Sequence, residues 1–270
     1  MKKKILILGS YGYIGSKLLI TLNKKFKVYK LPNKKKTFSF IKKFLIKNKI
    51  NIIINLVNSD NHRKEIIKFN EDLLKVIKNL DVKIIFVSTS LIYGLNNKPA
   101  DEKTKLKPFN DYTYNKFIIE KLYENSKANF KIIRLSNVYD DKLNKKGIFK
   151  NLINCVKKKN TYIRFNNLEI YRNFIHLNDV VNMMEKLLIN YDKIDQKIFN
   201  FGGENLKLKK IIYLFNKKFS TKINVKINKK KIYDPSIKIN SRLSSKILKY
   251  NKFTKLSSTL EKFKNSNIYE

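Results

Sequence analysis

Among 270 residues the chain has one cysteine, four prolines and seven glycines, and its 21 acidic side chains face 60 lysines and arginines. Each shortage excludes something. A single cysteine, Cys155, permits no intramolecular disulfide framework. With His62 and His176 far apart and no Cys-x-x-Cys pair, no metal site is assigned. No apolar run approaches the roughly 18 residues that a bilayer-spanning helix needs. The opening MKKKILILGS sets basic residues before an apolar run, as a secretory leader does. That run, Ile5 to Leu8, is short and breaks at glycine, so a buried strand is the reading and a cytoplasmic protein the expectation. No linker rich in proline or glycine divides the chain, and there are no internal repeats, so any second part should be a lobe packed on the first.

The scarcity of carboxylates leaves a net charge of +39 and a pI near 10.1. Such an excess ordinarily points to nucleic acid or a membrane surface. Here it is nearly all lysine, spread along the whole chain and accompanied by abundant asparagine and isoleucine. These residues share A/T-rich codons, so genome composition accounts for it. Arginine, whose planar fork suits base and phosphate readout, is scarce. Nucleic-acid binding is therefore set behind a small-molecule function, and no membrane partner is expected.

What is present is alternation. KILILGS reads as a strand buried on both faces. GSYGYIGSKLLITLNKK opens on glycines and continues with helical spacing at Ile14, Leu18, Leu19 and Leu22. FKVYKL and NIIINLVN are further strands, separated by a helix-like stretch near residues 37–48. RKEIIKFNEDLLKVIKNL is an amphipathic helix, VKIIFVSTS a strand with a polar end, and FKIIRLS another strand. Strands alternating with helices predict an α/β fold with a doubly wound parallel sheet. Beyond residue 140 the pattern loosens into helices at GIFKNLINCVKKK and LNDVVNMMEKLLIN and a strand at KIFNFGG. The last forty residues predict a small irregular lobe. The domain expectation is a nucleotide-binding part over 1–160, with the remaining strand, helices and a small substrate lobe over 161–270.

Three features carry chemistry. Gly9, Gly12 and Gly15 lie at the first strand–helix turn, where glycine lets backbone approach a pyrophosphate seated on the helix N-terminus. Ser88, Thr89 and Ser90 end a strand, the side of an open α/β sheet on which ligands bind; taken alone they read as strand-end caps. NDYTYNKF puts Tyr112 and Lys116 four apart, on one helix face, with Tyr114 turned away. An ammonium beside a phenol favours the phenolate. Taken alone, in a chain with this much lysine, the pair reads as an amphipathic-helix tyrosine and a solvated lysine.

With these residues assembled, the sequence resembles the extended short-chain dehydrogenase/reductases, the NAD-dependent epimerase/dehydratase group acting on nucleotide-sugars. GSYGYIG resembles the cofactor loop, NLVN the strand end H-L-A-A, and Asn70 the fourth-helix asparagine. STSLIYG, YTYNK, IIRLSNVYD, YRNFIHLNDVV and KIFNFGG follow in the family's order. The resemblance implies a Rossmann-type fold and a catalytic triad of Thr89, Tyr112 and Lys116. It implies a cofactor held by Gly9, Tyr11, Gly12, Tyr13, Ile14, Gly15, Leu56, Asn70 and Ser136 together with Tyr112 and Lys116. Substrate would meet Thr89, Asn137 and Arg172, the arginine on the diphosphate. The implied activity is oxidation or reduction at C4 of a nucleotide-activated sugar, by a 4-ketoreductase or 4-epimerase, in a homodimer through helices near 62–79 and 110–125. A reading from a different class is a non-catalytic NADPH- or RNA-binding protein on the same fold.

The chain departs from that family in places. NAD-preferring members carry an acid at the end of the second strand, where this chain has KLPNKKK. The cofactor expectation is therefore NAD(P) with NADP favoured, the 2′-phosphate meeting Lys34 to Lys36. The usual third strand has no room. Asp140 replaces a turn glycine and Asn173 an aspartate. The Asp-Glu pair of the dehydratases is replaced by Ser90 and Leu91, which argues against dehydration.

Overall fold

A computed structural model describes residues 2–32, 37–58, 63–143, 147–158, 162–228 and 233–266. From its N-terminal side the chain alternates β1 (Lys4–Leu8), α1 (Tyr13–Leu22), β2 (Lys27–Lys30), α2 (Phe38–Asn48), β3 (Ile52–Asn55), α3 (Arg63–Ile77), β4 (Lys83–Thr89), α4 (Asp111–Glu124) and β5 (Phe130–Leu135). It continues through β6 (Asn137–Tyr139), α5 (Gly147–Lys157), β7 (Tyr162–Phe165), β8 (Tyr171–His176) and α6 (Leu177–Ile189). Then come β9 (Ile198–Phe201), β10 (Glu204–Lys207), α7 (Leu208–Phe219), β11 (Asn224–Ile227), α8 (Arg242–Ile247) and α9 (Leu256–Asn265).

Six strands form one sheet in the order β2-β1-β3-β4-β5-β9, and the β1–β2, β1–β3, β3–β4 and β4–β5 pairs run parallel. The chain winds outward from β1 to β2, then returns to the other side of β1 to lay down β3. This is the predicted doubly wound α/β sheet, and the reversal at β1 and β3 creates a crevice beyond their carboxyl ends. As anticipated, α2 leads from β2 to β3 with no intervening strand among the described residues. Every residue of β3 and β5 is buried, which is why these runs are continuously apolar rather than alternating.

The chain forms two compact units. One comprises Met1–Ile92, Leu106–Leu135 and Val181–Phe199; the other comprises Tyr93–Lys105, Ser136–Val180 and Asn200–Glu270. In the second unit, β8 runs antiparallel to β10 and parallel to β6, while β7 and β11 pair in parallel. The C-terminal stretch that sequence reading left irregular contains α8 and α9. Leu256, Leu260 and Phe263 of α9 enter a core with Phe149, Phe174 and Phe215. Their spacing of four and three is a helical stripe, diluted in the sequence by surrounding lysine and asparagine.

Helix α4 is fixed at both ends. Asn110 accepts a hydrogen bond from the Thr113 amide at 2.9 Å, and Thr113 Oγ1 accepts one from the Asn110 amide at 3.0 Å, closing a capping box. Further along, the Glu120 carboxylate takes the Arg134 guanidinium of β5, with Nη2 at 2.8 Å and Nε at 3.1 Å from Oε2. The two side chains are 0% and 3% exposed. Removing one member of such a pair strands a buried charge, so Glu120→Ala should lower the unfolding free energy by about 3–5 kcal/mol. Urea denaturation followed by circular dichroism checks this; a loss below about 1 kcal/mol would mean that water reaches the pair.

Candidate active site

The glycine loop joins β1 to α1 at the topological switch point. Gly9 has φ +81°, a left-handed conformation natural only to glycine, and a Cβ there would lie 3.1–3.2 Å from Leu56 atoms. The Leu56 amide in turn donates to the Leu8 carbonyl at 3.0 Å, so the end of β3 backs directly onto the loop. Gly15 allows the helix to sit on the loop: a Cβ would fall 2.2 Å from the Gly9 oxygen. Gly12, by contrast, is exposed, and the Gly9 oxygen at 3.3 Å is all that its Cβ would meet.

A dinucleotide pyrophosphate fits this arrangement. Gly12 is the N-cap of α1, no side chain caps the helix, and its first turn holds no acid. Backbone amides and the positive end of the helix dipole are thus presented without a competing carboxylate. Tyr13 and Ile14 form the first turn, half-buried, and Tyr11 lies exposed with the Lys30 ammonium 5.1 Å from its ring. Lys30 ends β2, where an acid would otherwise bind ribose hydroxyls. Lys34, Lys35 and Lys36 lie outside the described residues.

Thr89 is the last residue of β4 and is buried; its Oγ1 accepts a hydrogen bond from the Leu91 amide at 3.2 Å. On α4, Lys116 is only 3% exposed. Its ammonium donates to the Val87 carbonyl at 3.0 Å and stands 4.8 Å from the centre of the Phe86 ring. Lys116 is thereby anchored two residues from Thr89 on β4, and is no solvated neighbour. One turn earlier Tyr112 is half-buried, whereas Tyr114 is 45% exposed. The helix therefore turns Tyr112 and Lys116 inward and Tyr114 outward.

Asn70 is the helix asparagine that the resemblance assigns to the cofactor. It is fully buried on α3, where its Nδ2 donates to the Ile66 carbonyl at 2.8 Å. Its Oδ1 accepts from Asn55 Nδ2 at 2.8 Å and from the Tyr123 hydroxyl at 3.1 Å. These bonds make Asn70 part of the packing between α3, β3 and α4. Sequence reading missed Asn55 and Tyr123. The available signal was that Tyr123 stands seven residues beyond Lys116, on the same helical face.

The remaining expected residues belong to the second unit. The buried Ser136 donates its amide to the Phe201 carbonyl at 3.0 Å, and Asn137 donates its Nδ2 to the Asn173 carbonyl at 2.9 Å. Arg172 donates to the Tyr171 carbonyl at 2.9 Å, to the Pro235 carbonyl and to the Asp234 carboxylate. Burial lowers its pKa and Asp234 opposes that, so the guanidinium is an engaged charge, not a surface one. The two substitutions noted in the sequence have local reasons. Asn173 accepts from the Gly203 amide (2.9 Å), as an aspartate could, but it also donates to Asn205 Oδ1 (2.8 Å) and to the Gly203 carbonyl (3.2 Å), which an ionised aspartate could not do. Asp140 takes the amides of Lys142 and Leu143, both at 3.1 Å, building with its side chain the turn that glycine would otherwise make.

Comparison with known proteins gives the family. Residues 5–202 match the family model for the NAD dependent epimerase/dehydratase family, and the chain belongs to that family. It is similar to a dTDP-D-glucose 4,6-dehydratase of Dictyostelium discoideum, 29% identical over 69% of this chain, although the match spans only 55% of that protein. It is also similar to a GDP-6-deoxy-D-talose 4-dehydrogenase of Aggregatibacter actinomycetemcomitans, 26% identical over 68% of this chain and 70% of the other. Among solved structures, the UDP-glucuronic acid 4-epimerase of Bacillus cereus, in complex with UDP-glucuronic acid and NAD, superposes with a TM-score of 0.81. It covers 97% of this chain and 99% of its own at 20% identity, a likeness of fold. No helix among the described residues is long and apolar enough to cross a membrane.

The glycine geometry ranks two substitutions. Gly15→Ala drives a methyl into the Gly9 carbonyl and should abolish measurable binding of NAD, whereas Gly12→Ala meets one atom at a tolerable distance and should weaken binding less. Calorimetric titration of NAD into both variants decides the order; equal affinities would contradict it.

Proposed function

We propose that this family member transfers hydride at C4 of a nucleotide-activated sugar, working with NAD(P) as a 4-ketoreductase or 4-epimerase. The observation that carries the reading is the burial of Lys116 against the end of β4, with Tyr112 one turn before it and Thr89 closing the strand. The nicotinamide supplies or accepts the hydride. The Tyr112 phenol exchanges a proton with the C4 oxygen as that carbon changes oxidation state. The Lys116 ammonium favours the phenolate and so brings Tyr112 toward working pH. The Thr89 hydroxyl hydrogen-bonds the same oxygen and holds it for transfer. Asn137 and Arg172 take the nucleotide-sugar, the guanidinium bonding phosphate oxygens in place of Asp234.

C4 is favoured over dehydration because Ser90 and Leu91 follow Thr89 where a dehydratase would place two carboxylates. The names of the Aggregatibacter dehydrogenase and the Bacillus cereus epimerase both specify C4. Between the two activities, the end of β2 at Lys30 tilts the reading to a ketoreductase with exchangeable NADPH. Releasing the nucleotide from purified protein separates them, since tightly held NAD would sink the reductase. The proposal extends to a cytoplasmic homodimer formed through α3 and α4, which light scattering of a monomer at micromolar concentration would remove.

General acid–base groups contribute about 10²–10⁴ in rate, so Tyr112→Phe should lower turnover by at least two orders of magnitude while leaving cofactor binding intact. Tyr114→Phe should be nearly silent. Steady-state kinetics on a nucleotide-activated 4-keto sugar checks the pair, and equal damage would contradict the helical-face assignment.

A further inference from the structure

We propose that Tyr123, through a closed hydrogen-bond ring with Asn55 and Asn70, is a positioning residue that sets affinity for the dinucleotide. This rests on the cofactor reading above. The ring is complete. Asn55 Nδ2 donates to Asn70 Oδ1 at 2.8 Å and to the Tyr123 hydroxyl at 3.3 Å, and that hydroxyl donates to Asn70 Oδ1 at 3.1 Å. All three side chains are fully buried, so no water competes for these bonds.

The ring is tied to the cofactor loop by backbone. Asn55 is the last residue of β3, and its Oδ1 accepts the Val57 amide at 3.1 Å, which sets the turn through Leu56. Leu56 is the residue that a Cβ on Gly9 would meet at 3.1–3.2 Å, so it backs onto that glycine. Holding Asn55 therefore holds the wall behind the glycine that starts the pyrophosphate loop. The other end of Tyr123 is also committed, its ring stacked on Phe86 at 5.1 Å and 13°. Phe86 is the ring over which the Lys116 ammonium stands. Tyr123 thus braces the strand end behind the loop and the aromatic platform beneath the lysine. Burial raises the pKa of its phenol well above the ordinary value, so the hydroxyl remains a donor throughout the working pH range.

The test is Tyr123→Phe, which deletes the hydroxyl and keeps the stacked ring. Its NAD dissociation constant, measured by calorimetry, should rise about three- to tenfold, the worth of one or two net hydrogen bonds. Turnover at saturating cofactor and the pH profile of turnover should be unchanged. Asn55→Ser, which opens the same ring, should give a similar rise and serves if the first variant fails to fold. Ile77→Val, a core truncation on α3, supplies the control: it should lower stability and leave the NAD dissociation constant alone. If the parent binds NAD and both ring variants bind equally well, or if Ile77→Val weakens NAD as much, the positioning role is overturned and the cofactor reading stands. If the parent binds no NAD(P), the cofactor reading falls and the inference falls with it.

Discussion

A buried ammonium needs partners, because an unpaired charge in the interior costs several kcal/mol. Lys116 finds them in the Val87 carbonyl and the face of Phe86, both on β4. That attachment fixes how α4 lies on the sheet. Successive inward positions of the helix are then committed: Thr113 to the cap, Lys116 to β4, Glu120 to Arg134 on β5, and Tyr123 to Asn55 and Asn70. These fall three, four and three residues apart, one stripe of a single helix. Rotating or sliding α4 would break all of them together. The orientation of Tyr112 follows from a register that the rest of the helix already enforces.

Close approach of backbone imposes the second constraint. Gly15 lets α1 start on the Gly9 carbonyl, and Gly9 takes a left-handed conformation against Leu56. With the helix end uncapped by side chains, the loop offers amides rather than a competing carboxylate. The glycine loop and α4 are therefore supported from the same interior, through β3 and β4, not as separate surface features.

Much of this was legible in the sequence because it is local. Glycines three apart after a strand, a tyrosine and a lysine four apart, and hydroxyls closing a strand are each set by a short-range period. What could not be read depends on partners distant along the chain. Arg172 was assigned to a diphosphate, and its carboxylate partner Asp234, 62 residues away, was not foreseen. Asn70 was assigned to the cofactor by its place in the family pattern. Its environment comes from Asn55 and Tyr123, whose roles appear only when three elements are packed. Helix α9 was hidden for another reason: lysine and asparagine, abundant everywhere in this chain, blur the contrast on which amphipathic patterns rely.

The high positive charge has little bearing on the candidate active site. Lysines that matter there, such as Lys116, are distinguished by burial and by a specific carbonyl or ring, not by number. The central claim is that the groups at the end of β4 and on α4 act on C4 of a nucleotide-activated sugar. The direct measurement is isotope transfer: incubate the protein with NADPH or NADH deuterated at the transferable C4 position and a nucleotide-activated 4-keto sugar, then locate the label by mass spectrometry and NMR. One deuterium at C4 of the sugar is the predicted result. Label at another carbon, or a dehydrated product with none, would contradict the account.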